Sequence, residues 1–261
     1  EAYENASSGD GYDKLVILET GQTYVGGLLI GNVLNLLNDE VEGDGGCDVK
    51  IVGNGAILDL QGEQICISYC SNRLDIEDCV ILNGNVRFRG YNWASGQAQP
   101  VGSVRYVTFY QPHDYGIRLQ GAGEGILLER NLIVDAVDTG DDFIFSSGIS
   151  SDWLPTGTNI SFSVQSYYGY PLIQDNWSFH DDAAVNVDSL RHFSLLCEYG
   201  WVFPETWTDA GAAPFNNIIG LDPQLTDPEN GDFSLAPDSP ALEYGCQTFN
   251  ENSSRSIGLL A

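Results

Sequence analysis

The densest acidic run of the chain is Asp135-Ala-Val-Asp-Thr-Gly-Asp-Asp142, and a second acidic group follows at His180-Asp-Asp182 and Asp188. Carboxylates a few ångströms apart cannot all ionise cheaply. One is then held as a general acid while another activates water, the arrangement that inverting glycosidases use. Asp141, Asp142 and His180 are the candidate catalytic residues on that reading. The same side chains suit a hard cation, and Asp138, Asp141, Asp142, Asp181 and Asp182 are the candidate ligands of a Ca²⁺ ion. No cofactor is required otherwise. Either chemistry needs the two acidic groups on neighbouring passes of the chain. His113 and His192 belong to no Ser-His-Asp or metal-ligand spacing.

The elements that would position these groups repeat along the chain. Segments beginning at Ile76, Val104, Leu128 and Phe162 can be laid over one another, 28, 24 and 34 residues apart. A period in the twenties, stretched by insertions, predicts a solenoid whose coils each give short strands to parallel sheets. Val49 to Leu60 reads as an earlier coil with a tight turn at Asn54-Gly55, and Ile65-Cys-Ile67 as its next strand. Leu15 to Leu18 and Gly21 to Gly27 read as the opening coil. Val33 to Leu37 is the one stretch expected to be helical. Insertions at about 90–102, 147–158 and 198–216 carry Trp93, Trp153, Trp201 and Trp207, and loops on one side of a solenoid commonly form its binding face.

Six cysteines, an even number, fit an oxidising compartment: Cys47, Cys66, Cys70, Cys79, Cys197 and Cys246. Fifteen pairings are open to six thiols. The expectation is a Cys197–Cys246 bridge tying the tail to the last coil, with the other four pairing among themselves. Four Asn-x-Ser sequons, at Asn5, Asn159, Asn176 and Asn252, are glycosylation candidates and would mark exposed loops.

The tail alternates turn signals with apolar anchors. Asp222-Pro223, Asp227-Pro228, Asn230-Gly231 and Ser239-Pro240 are turns. Leu221, Leu225, Phe233, Leu235 and Leu242 are expected to pin the segment to a core. This run, with Ser256-Ile-Gly-Leu259 after it, resembles the closing segment of secreted right-handed parallel β-helix proteins of the pectate-lyase-like superfamily. The resemblance implies an all-β, single-stranded right-handed parallel β-helix, with residues 1–13 as a polar N-terminal segment available to dock on a neighbour. Coils would then occupy 14–213 and a closing segment 214–261, plugging one end of the same domain. Thr139-Gly-Asp-Asp-Phe-Ile144 is similar to the catalytic "GDD" segment of the polygalacturonase group, where Asp141 and Asp142 match. No Gly-His-Gly follows, and no Lys occurs after Lys50 for the group's substrate clamp. β-Helix lyases pair Ca²⁺ with a basic residue, a role for which Arg118, Arg130 and Arg191 are the candidates.

Composition narrows the classes. The chain of 261 residues carries 37 acidic and 10 basic residues, a net charge of −27. That charge excludes nucleic acid and anionic membrane surfaces as partners and suits an extracellular or salty medium. No apolar run approaches the roughly 20 residues that span a bilayer. The first residue is Glu1 and Met is absent, so a processed, secreted form is expected. The reading that fits is an extracellular structural or adhesive β-helix protein, a self-assembling filament or surface-layer subunit joined through helix ends or the N-terminal segment. The alternative is a polysaccharide hydrolase, a Ca²⁺-dependent lyase or a glycan-binding module.

Overall fold

The computed structural model describes residues 2–35, 40–43, 45–90, 99–112, 116–120, 125–135, 172–179, 181, 195–197, 218–219 and 221–251. They are mostly strand. A short helix α1 (Ala2–Asn5) leads into β1 (Ser7–Gly9), β2 (Tyr12–Ile17), β3 (Thr23–Val25), β4 (Leu28–Asn35) and β5 (Glu40–Gly43). Next come β6 (Val49–Val52), β7 (Ile57–Asp59), β8 (Gln64–Ser68), β9 (Arg73–Leu82) and β10 (Asn85–Arg89). They are followed by β11 (Val101–Tyr110), β12 (Ile117–Gln120), β13 (Ile126–Glu129), β14 (Leu132–Val134), β15 (Leu172–Gln174) and β16 (Trp177–Phe179). The last are β17 (Leu195–Cys197), β18 (Ile218–Ile219), β19 (Leu225–Asp227) and β20 (Asp232–Leu235).

Strand pairing is parallel except at three hairpin-like contacts, β1/β2, β4/β5 and β19/β20. A large sheet runs β2-β6-β9-β11 and continues through β13 to β15 and through β14, β16 to β18, with β3 and β7 joining beside β9. A second sheet runs β17-β12-β10-β8-β4. The first four repeats each contribute three strand segments, and the chain returns to the same row at Ile51, Ile76, Val104, Leu128 and Ile173. The first three of the four overlaid segments in the sequence have the observed register. The fourth does not: Leu128 pairs with Ile173, whereas Phe162 lies outside the described residues.

The chain bends between the first and second segments at a left-handed residue, at Asn54 (with Gly55 after it), Asp78, Tyr106, Arg130 and Asp175. A second series, Gln61, Asn83, Gln111 and Asp135, ends the second segment. These bends let β9 and β11 continue around a corner, and their register skips Asp78 and Tyr106. Because side chains alternate along a strand, each segment sends every other residue inward. Rows such as Val16–Ile51–Ile76–Val104–Leu128, Leu58–Ile81–Phe109–Ile133 and Ile30–Ile67–Phe88–Leu119 form the main core, nearly all of it within a few per cent of full burial.

The inner corner after the first bend carries the ladder Cys79, Val107, Asn131 and Asn176. Asn131 and Asn176 are fully buried. Asn131 Nδ2 donates to Val104 O and to Asn176 Oδ1, both at 2.9 Å, while its Oδ1 accepts from Val107 N at 3.2 Å. Asn176 Nδ2 donates to Leu128 O and Gln174 O, and its Oδ1 also accepts from Asn131 N. The amides thus satisfy backbone groups that the corner would otherwise leave unpaired in the core.

The tail corrects the expectation of an end plug. It lies along the outside of the second-segment face, covering the outward row Ile57–Val80–Thr108–Leu132–Trp177. Phe233 packs on Val80 beside Tyr110 and Phe249, and Trp177 stands edge-on to Tyr244 with ring centroids 5.2 Å apart. Trp177 Nε1 donates to Leu221 O at 2.6 Å, Gly245 N to Arg130 O at 2.8 Å, and Cys246 N to Thr108 Oγ1 at 2.9 Å. At its far end Asp78 accepts from Gln247 N at 2.7 Å, from Thr248 N at 3.1 Å and from the Thr248 hydroxyl. Phe233 and Leu235 are the buried anchors. Leu221 and Leu242 are exposed instead. Ser256 to Leu259 lie outside the described residues.

Two further expectations change. Val33 to Asn35 are strand rather than helix, since β4 runs on to pair with β5. The N-terminal segment lies on its own chain: β1 pairs with β2, Lys14 Nζ donates to Tyr3 O at 3.0 Å, and Lys14 sits over the Tyr3 ring. Tyr12, brought in by that hairpin, donates to the buried carboxylate of Asp75, which also accepts from Ser103 Oγ at 2.6 Å and pairs with Arg73 at 2.5 Å. Burial, then the hydrogen bond to Asp75, pushes the Tyr12 phenol up to about 12. The fold favours the protonated phenol, so this contribution is complete below the usual tyrosine range near pH 10 and is lost as the pH rises through about 12. The Tyr110 and Tyr244 phenols are pushed up as well, so an alkaline absorbance titration is expected to show several late-ionising tyrosines and one fewer after Tyr12→Phe.

Candidate functional site

Most of the acidic candidates fall outside the described residues: Asp138, Asp141, Asp142, His180 and Asp182, together with Arg191. Asp181 is described and exposed, and its N–H donates to Asp135 Oδ1 at 2.8 Å. Among the described residues no group of three His, Cys, Asp or Glu side chains is placed to hold a metal ion. Arg130 pairs with Glu243 at 3.0 Å and so braces the tail.

The cysteines are thiols where they are described. Cys47, Cys66, Cys70, Cys79 and Cys246 are free thiols, in place of the expected pairing of Cys246 with Cys197 and of the other four among themselves, and nothing is described of the Cys197 side chain. Cys246 lies on the outer side of the second-segment face with its Sγ 3.4 Å from Asp78 Oδ1. Cys197 stands on the other sheet, in register with Leu119. Burial pushes the Cys79 and Cys246 thiols up, with Asp78 adding to both, so neither is a thiolate nucleophile at neutral pH.

Of the sequons, Asn5 is exposed and Asn176 is not, while Asn159 and Asn252 lie outside the described residues. Asn176 is corrected from surface acceptor to core amide: its side chain is fully buried and both ends are bonded. Folded protein from a glycosylating host is expected to carry no glycan at Asn176 and to accept one at Asn5. Peptide mapping by mass spectrometry reads both occupancies.

Two concavities stand out. At the first repeat the interior opens into a largely apolar cavity of about 750 Å³, lined by Val16, Leu18, Leu58, Leu60 and Ile65 beside α1. The other is a polar groove of about 600 Å³ on the outer face of the second sheet. Its floor is set by register. Cys66, Arg87 and Arg118 stand directly opposite one another on β8, β10 and β12, and Gln64 faces Asn85 two residues earlier. Glu63 forms part of the lining, and its Oε2 accepts from Gly27 N at 2.6 Å. Arg89 projects from the same face of β10, its guanidinium 4.7 Å from the Tyr69 ring centroid. Burial pushes the Cys66 thiol up, although Arg87 and Arg89 favour its thiolate.

Sequence reasoning named Arg118 only as a lyase base and missed the groove. The signal was the alternation in Asn85-Val-Arg-Phe-Arg89, which puts three polar side chains on one face of a strand. In an acidic chain with ten basic residues, such an Arg-x-Arg stands out.

The described residues thus define a mostly parallel, strand-rich protein with stacked aliphatic rows, a lateral tail and a cationic groove. Compared with known proteins, the chain matches no family profile, no curated protein and no solved structure. Among the described residues no helix is long and apolar enough to cross a membrane.

Proposed function

We propose that the chain is an extracellular structural or adhesive protein, a right-handed parallel β-helix of the pectate-lyase-like kind, that associates with its own copies through the first repeat. The observation that carries this reading is the state of that repeat. Ile17, Val25 and Leu29 are 63%, 62% and 52% exposed, one on each of its three strand segments. Val25 also lines the apolar cavity at which the interior rows begin. Strand β3 pairs with β7 on one side and with no other described strand. An open strand edge beside exposed aliphatic side chains favours pairing with another chain. The extracellular placement rests on the acidic composition rather than on a cystine framework.

Copies that carry −27 each repel one another, so association needs screening or bridging cations. Sedimentation and electron microscopy of the native protein are expected to show oligomers or filaments that grow with salt or Ca²⁺. Ile17→Lys combined with Val25→Lys is expected to return the protein to monomers without lowering its thermal stability. Monomers at every salt and calcium concentration would overturn the reading.

A further inference from the structure

We propose that the cavity at the first repeat is a binding site for a neutral aliphatic amphiphile, a chain that ends in a hydroxyl or carbonyl oxygen. The cavity exists because the inward rows begin there. Val16 heads the row that continues as Ile51 and Ile76, Tyr24 the one that continues as Leu58 and Ile81, and Leu28 the one that continues as Ile65 and Val86. Among the described residues no further coil is stacked in front of them. Helix α1 stands there instead, without burying any residue of its own, and about 750 Å³ is left between it and the core. Aliphatic walls offer water few partners, and atoms that face a gap lose dispersion contacts, so an apolar guest is favoured.

The lining selects the guest. Val16, Leu18, Leu58, Leu60 and Ile65 are between 1% and 8% exposed, so they admit a slender molecule and not the surface of a second copy. Ile17 and Leu29 point outward from the same repeat and lie outside the cavity, so binding here does not depend on self-association. Polar groups return at one corner, where Thr23 and Tyr24 line the space. Tyr24 Oη accepts from Glu19 N at 3.2 Å and keeps its own hydrogen to donate, which suits an oxygen acceptor at one end of the guest. A protonated amine has no lone pair for that hydrogen. A carboxylate has one but meets an acidic surrounding: Glu4 lines the cavity, Glu19 adjoins Tyr24, and the chain carries −27. Lys14, the one basic residue before Lys50, is engaged with the Tyr3 ring and Tyr3 O. The volume suits a small molecule.

The test is calorimetric titration of the full chain with 1-hexanol, 1-octanol and 1-decanol, at low ionic strength so that its charge keeps copies apart. Saturable binding of one alcohol is expected, tightening by about fourfold for each added methylene. Octanoate and protonated octylamine, the charged controls, are expected to bind at least about tenfold more weakly than octanol. Val16→Phe, which fills the space at the head of its row, is expected to weaken octanol binding by at least about tenfold. Ile17→Lys, on the outer side of the same strand, is expected to leave it unchanged. Methyl-detected NMR of the unaltered protein removes any dependence on how a variant folds. The Val16, Leu18, Leu58 and Leu60 methyls should shift with octanol saturation while those of Ile133 stay fixed. No saturable binding of any alcohol, a charged control as tight as octanol, or saturation with those four residues unmoved would each overturn the proposal. So would a folded Val16→Phe that binds as before, or loss of binding in Ile17→Lys.

Discussion

Asn131→Ala is expected to remove about 3–5 kcal/mol from the stability of the fold, read as the midpoint shift in urea unfolding at unchanged slope. The side chain is fully buried and makes three hydrogen bonds, to Val104 O, to Val107 N and to Asn176 Oδ1. Each net bond contributes only about 1 kcal/mol, but truncation also strands Val107 N–H and Val104 C=O in the core, at about 1–3 kcal/mol apiece. Water cannot readily take their place in so tightly packed a corner. Asn176→Ala strikes the same ladder from the next repeat. The double variant is therefore expected to cost less than the two single changes added, with a coupling of about 1–3 kcal/mol. Additive costs would mean that the two amides act independently, and the ladder description would fail.

Gly102→Ala is expected to be at least as damaging, for a reason of backbone geometry. Gly102 occupies an inward position on β11 with φ +141°, opposite Leu74. A Cβ there would lie 1.9 Å from Leu74 O and 2.7 Å from Leu74 C, against backbone of the neighbouring repeat rather than a movable side chain. Strained φ alone costs about 1–3 kcal/mol, and the overlap forces two rows of the core apart. Since a domain's whole stability is about 5–15 kcal/mol, the variant is expected to be recovered largely unfolded or aggregated. Gly62→Ala is the matched control. Its φ is +86°, yet a Cβ meets nothing within 4 Å, so only the backbone strain of about 1 kcal/mol is expected. Circular dichroism melts of both variants separate the close approach from the conformational cost.

Much of the architecture was legible because it rests on alternation and repetition. The aliphatic positions of Ile76, Val104 and Leu128 carry the period in the sequence, and the register follows them residue for residue. The period was lost at Phe162 because a long stretch of chain lies between β14 and β15, and the apolar run nearest in sequence is not the one that stacks. Asn176 illustrates a different limit. A sequon and an internal amide ladder look alike in one dimension. Only the preceding left-handed residue, Asp175 here and Arg130 before Asn131, distinguishes them. The tail anchors Phe233 and Leu235 were readable as apolar residues between turns. Their destination on the flank was not, since that depends on which face of the repeats carries an outward apolar row. The groove escaped notice because its arginines sit on different repeats, and only register brings Arg87 against Arg118.

The lateral tail has a consequence for how the molecule comes apart. In a stack held by contacts between neighbours alone, repeats can fray one at a time, and stability is a sum along a line. Here one stretch of chain bonds to Asp78, Thr108, Arg130 and Trp177, which belong to four different repeats, and the bond from Thr248 to Asp78 joins residues 170 apart in sequence. Peeling any one of these four away must also loosen the tail from the rest. Unfolding is thereby made concerted, as if a slack zipper had been sewn shut along its side. The reverse process carries the cost: closing so large a loop comes late and slowly, after the repeats it binds are in place.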